Sequence, residues 1–141
     1  MSAKYFRWFI ILSVLLAVGS VAVDALFPSL IPQSLSVALE NEPTPRILEN
    51  LTLSLLLFLP LAAAWIIGTV GLFLFKRWGR TLSLYSTVLG FGLYPFFGPT
   101  VSSGWSSALS EASFVLWGAV LAVAYVSPLR DRFAVQSTNE R

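Results

Sequence analysis

Six residues carry most of the chemistry this sequence offers: Asp24, Arg46, Trp65, Tyr94, Glu111 and Trp117. Asp24 and Glu111 fall within or beside long apolar runs, where a carboxylate is costly and by default functional. Ser20 and Ser107 each stand four residues before one of these acids, on the same helical face. Such a pairing suits a cation or proton site. A plainer reading places both acids near span ends, where headgroups and water lower the cost. Glu111 then gains ~0.3–1 kcal/mol from a helix N-terminus. Asp24 sits at a helix C-terminus, where the dipole disfavours it, so a partner is expected.

Arg46 is expected to be the lone cation on the acidic side of the protein. It suits a clamp, pairing with Glu49 in its own helix or with Asp24 or Glu111 across the bundle, better than a ligand contact. Trp65 and Trp117 fall at similar depth near the middle of their runs. Either they line a lipid or small-molecule cavity, or they pack ordinarily, with an indole N–H bonded to Ser86 or Thr87. Ser83, Thr87, Gly90 and Tyr94 recur at helical spacing and share one face, which should meet other helices or a cavity rather than lipid.

What is missing narrows the classes further. There is no Cys and no His. Thiol chemistry, Cys-ligated metals and the usual near-neutral acid–base group are therefore excluded. No catalytic, metal or cofactor constellation is expected, and an enzyme is disfavoured. The net charge is +2, but the basic residues cluster at membrane flanks instead of forming a stripe, which argues against nucleic acid.

The elements that position these residues are apolar runs. Of 141 residues, 56% are hydrophobic and 11% charged, against roughly 25% charged in a soluble domain. Mean hydropathy is +0.77. The pattern predicts an all-α antiparallel bundle of four transmembrane helices in a single domain. The spans are about 6–27, 46–75, 81–97 and 107–126. An outer loop, 28–45, carries a short interfacial helix over Ser34–Glu40, and 127–141 is a polar tail. The first run is too long for the ~7–15-residue core of a signal peptide and is assigned as a retained span.

The second run is roughly 31–34 residues, or about 46–51 Å, in a hydrocarbon core of about 30 Å. It must tilt, kink near Pro60, or raise residues 46–50 above the membrane. Thr44-Pro45 is expected to open it, and Gly79 to stop it if it runs on to Trp78. Ser106 or Ser107 should cap the fourth run. Close helix approach is expected at Ser13, Ala17, Gly19 and Ser20, at Ala64, Gly68 and Gly71, and at Gly118 with Ala122. Asn50-Leu51-Thr52 matches the glycosylation pattern but lies inside a helix beside the membrane and is discounted.

Four spans would put Lys4, Arg7, Lys76, Arg77, Arg80, Arg130, Arg132 and Arg141 on one side and Arg46 alone on the other. The basic side is then cytoplasmic, with both termini inside.

Arg77-Trp78-Gly79-Arg80, the run from Gly118 through Ala124-Tyr125-Val126-Ser127-Pro128, and Phe133 together resemble small four-span proteins of bacterial inner membranes. That resemblance spans roughly residues 70–134. It implies an inner-membrane location and brings no assigned activity. The small multidrug-resistance transporters also have four short helices, but they use a glutamate in the first. Here Ile10 to Gly19 contains no acid, so that carry-over fails. The expectation is a non-enzymatic membrane protein acting as an accessory or interaction component. Its partners would be the lipid bilayer and either a second copy or another membrane protein. The alternative is a small transporter or lipid or small-molecule binder using an outer cavity near Asp24 and Glu111.

Overall fold

In hydrocarbon every backbone N–H and C=O must be bonded within the protein, so long Leu/Val/Phe runs form helices. The computed structural model describes residues 2–41, 43, 45, 49–98, 100–126 and 133, with the backbone alone at 97. Among these the chain is all-α. Its helices are α1 (Ala3–Leu26), α2 (Gln33–Glu40), α3 (Leu51–Phe73), α4 (Arg77–Leu93) and α5 (Gly104–Val126), with 3-10 turns at Pro28–Leu30 and Tyr94–Phe97.

Helices α1, α3 and α5, of 24, 23 and 23 residues, are long and apolar enough to cross a membrane. Each is about 35 Å long at 1.5 Å per residue. Their outward surfaces suit lipid, not water: Leu56 and Val115 are each 73% exposed. Several hydroxyls inside these helices bond back to their own backbone, as Ser13 does to the Ile10 carbonyl and Thr69 to the Trp65 carbonyl. These are the features of a membrane protein with transmembrane helices.

Two close helix pairs build the molecule. The first joins the ends of the chain. On α1 the buried residues are Phe6, Ile10, Ser13 and Ser20, and on α5 they include Ser106, Ser113, Trp117, Val120 and Ala124. Both sets repeat every seven residues, the spacing that keeps two nearly aligned helices in register. Where they touch, the Ser113 hydroxyl donates to the Ser13 carbonyl at 2.8 Å.

In the second pair α3 and α4 run antiparallel, with backbones almost touching. A Cβ on Gly68 would lie 2.7 Å from Ser83 Oγ, and one on Gly71 2.6 Å from Gly79 Cα. The pairs then meet through large side chains. Trp65 stacks on Trp117 with ring centroids 5.5 Å apart, Phe91 on Phe114 at 5.7 Å and Phe6 on Phe75 at 5.4 Å. At the basic end Arg80 donates to the Ala124 carbonyl at 3.2 Å, and its guanidinium lies 4.4 Å from the Tyr125 ring centroid. A cation there faces the negative end of α5.

Several boundaries differ from the sequence expectation. Helix α3 begins at Leu51, not near Arg46, with the Asn50 side chain accepting the Leu53 N–H at 3.2 Å. This cap shortens the membrane segment, and the helix continues through Pro60. It ends earlier too. Phe75, not Gly79, takes the left-handed conformation, with φ 56°. Phe75 N donates to the Leu72 carbonyl and Lys76 N to the Gly71 carbonyl, which together close the helix end. Gly79 lies inside α4, where a Cβ would overlap the backbone of Gly71 and Leu72. Its role is close approach, not termination. Residues 77–80 are thus the first turn of α4. The expected short helix in the outer loop is α2. Thr44, Arg46, Ser127-Pro128 and the basic tail lie outside the described residues.

Candidate functional site

Helices α3, α4 and α5 enclose a groove of about 380 Å³. Phe58, Leu61, Ala62 and Trp65 supply one wall from α3. Ser86, Thr87, Gly90 and Phe91 form another from α4, and Tyr94 follows in the next turn. Phe114 and Trp117 close the groove from α5. Lining residues recur every three or four positions, so the groove runs along the helices. From Phe58 to Trp65 it is about 10 Å long. Trp65 and Trp117 lie at the end toward the basic turn, and Phe58 and Tyr94 at the other.

The polar groups of Ser86, Thr87 and Trp117 bond within the protein. Trp117 Nε1 donates to Thr87 Oγ1 at 2.9 Å. Thr87 Oγ1 and Ser86 Oγ in turn donate to the Ser83 carbonyl, at 2.7 and 3.1 Å. These bonds tie α5 to α4, and the groove is left with a largely apolar surface. No described lining residue is charged. Gly90 makes room, since a Cβ there would meet nothing within 4 Å. Trp117 is thus bonded to Thr87, and together with Trp65 it also lines the groove.

The acidic candidates lie elsewhere. The Asp24 carboxylate accepts the Ser103 backbone N–H at 3.3 and 3.4 Å and the Ser103 hydroxyl as well. Ser103 is also the cap of α5, because its Oγ accepts the Ser106 N–H at 3.2 Å. The cap expected at Ser106 or Ser107 is thus one turn earlier. Asp24 ends one helix but faces the positive end of another, which offsets the unfavourable dipole of its own. Glu111 is exposed and sits about 12 Å further along α5, at eight residues from Ser103. The structure does not bring the two acids together, and neither lines the groove. Among the described residues no group of His, Cys, Asp and Glu could hold a metal. Arg46 lies outside the described residues.

Sequence reasoning missed Ser103, which caps α5 locally through Ser106 and whose second role, as the partner of Asp24, spans 79 positions. Gly90 was legible as part of the face shared with Thr87 and Tyr94, but not as the residue that opens space, since a glycine that opens space cannot be told from one that closes it.

Fold and groove together define an all-α membrane protein with an apolar groove among its helices. No family model, curated protein or solved structure matches this chain, so the functional reading rests on that geometry.

Proposed function

We propose that this chain is a non-enzymatic, four-span protein of the bacterial cytoplasmic membrane with both termini inside. It acts as an accessory component that binds a lipid or small apolar molecule in the Trp65–Trp117 groove. The observation that carries this reading is the groove itself, a cavity among helices in which Ser86, Thr87 and Trp117 are already bonded within the protein. A binder tolerates that arrangement, whereas a hydrolase or transferase needs reactive groups aimed at its substrate.

The fourth span is α4 with the turn that follows it. Its 17 helical residues give about 25 Å, and the four-residue 3-10 turn Tyr94–Phe97 adds about 8 Å. Orientation rests on the cations, because four spans would put eight of the nine at one end. Because the chain has no Cys, single cysteines at Ser2 and Ser29 report topology cleanly. An impermeant maleimide should label Ser29→Cys in intact cells and Ser2→Cys only after lysis. The reverse pattern would overturn the orientation.

Native mass spectrometry from a mild detergent tests the binding. Wild-type protein should retain an apolar adduct, and Gly90→Leu, which fills the groove, should lose it. A bare wild-type protein, or an adduct that Gly90→Leu retains, would overturn the reading.

A further inference from the structure

The geometry points to a single occupant class for this groove: one acyl chain of a bilayer phospholipid, entering from the leaflet on the Tyr94 side. This rests on the groove being the binding element of the protein. Three observations carry it.

The first is chemical. Ser86 and Thr87 spend their protons on the Ser83 carbonyl, and the Trp117 N–H is spent on Thr87. With no charged side chain among the described lining residues, the walls discriminate against cations and anions, which need a partner for their charge. A hydrocarbon chain makes no such demand.

The second is shape. The lining positions 58, 61, 62 and 65 on α3 and 86, 87, 90 and 91 on α4 form a channel along the helix axes, about two turns long. In a bilayer that direction is also the direction of the lipid chains. A chain can lie in the space that Gly90 leaves beside the Trp65–Trp117 pair.

The third is access. Ala62, Phe91, Tyr94 and Phe114 are all exposed while lining the groove. Its side is therefore open to the surrounding lipid. Its floor is closed, because Trp117 is buried and half-buried Trp65 packs on it. An acyl chain can slide in laterally and leave its headgroup at the membrane surface, beyond Tyr94. The headgroup plays no part in recognition.

The test uses the protein with Trp8→Phe, Trp78→Phe and Trp105→Phe, all exposed positions, so that Trp65 and Trp117 are the only tryptophans left to emit. It is reconstituted into phosphatidylcholine carrying increasing fractions of a lipid brominated deep in one acyl chain. The expected result is a quenching phase that saturates at low brominated fraction, above the gradual quenching of lipid at the protein perimeter. Gly90→Leu, and independently Ala62→Phe, should abolish that phase and leave the gradual one. Retained melting temperatures would show that both variants fold. Replacing phosphatidylcholine by brominated phosphatidylglycerol should not change the phase.

Gradual quenching alone, or a saturating phase that both fillers retain, overturns the inference. If mass spectrometry still finds a Gly90-dependent adduct without acyl chains, binding in the groove stands and only the acyl chain falls. If neither signal depends on Gly90, both fall.

Discussion

The carboxylate of Asp24, in the last turn of α1, accepts two donors from Ser103, and Ser103 Oγ accepts the first-turn N–H of Ser106 on α5. One acid thus joins the end of the first helix to the start of the last. Asp24→Ala and Ser103→Ala should each lower the melting temperature in detergent. The double variant should lose less than the sum of the two single losses, because the Ser103 Oγ–Asp24 bond is lost in both. Additive losses would show that the residues act separately.

Glycines that look alike in sequence should behave oppositely. Gly79→Ala forces a methyl into the backbone of Gly71 and should cost about 1–3 kcal/mol or more. Gly118→Ala meets nothing within 4 Å and should be neutral or gain about 0.5–1 kcal/mol from helix propensity. Thermal melts of the two variants in one detergent decide this.

Phe75 holds a left-handed conformation while buried against Phe6 and Phe133, with centroids 5.4 and 5.2 Å away. Both Phe75→Ala and Phe75→Gly lose the ring. Only Ala keeps the backbone strain, so the glycine variant should be the more stable by about 1 kcal/mol. That order reverses the usual helix preference, and denaturant titration reads it.

Thr87→Val orphans the Trp117 N–H, whereas Trp117→Phe removes the donor and leaves Thr87 bonded to Ser83. Thr87→Val should be the costlier, by about 0.5–2 kcal/mol. Adding Trp117→Phe to it should recover most of that loss. A double variant less stable than Thr87→Val alone would refute the account.

The sequence by itself determined what each segment is made of. Long apolar runs had to be helices, since lipid offers no other partner for the backbone. Small residues at Gly68 and Gly71 marked a close-approach face, and the short basic turn left α3 and α4 little choice but to lie side by side. Ser86 or Thr87 was legible as the bond acceptor for a mid-membrane tryptophan, because few polar groups share that depth.

Tertiary structure decided which face meets which. Gly118 and Ala122 show the same small-residue spacing as the buried glycines, yet both are exposed. A spacing records what can pack closely, while the partner is chosen by the whole set of helices. The same holds for Asp24. Its carboxylate was legible as needing a partner, but Ser103 is 79 residues away and becomes a neighbour only when α1 and α5 pair. The groove is the clearest case. It is a property of the space between three helices, set by how far the Trp65–Trp117 stack holds the two pairs apart, and no single segment encodes that distance.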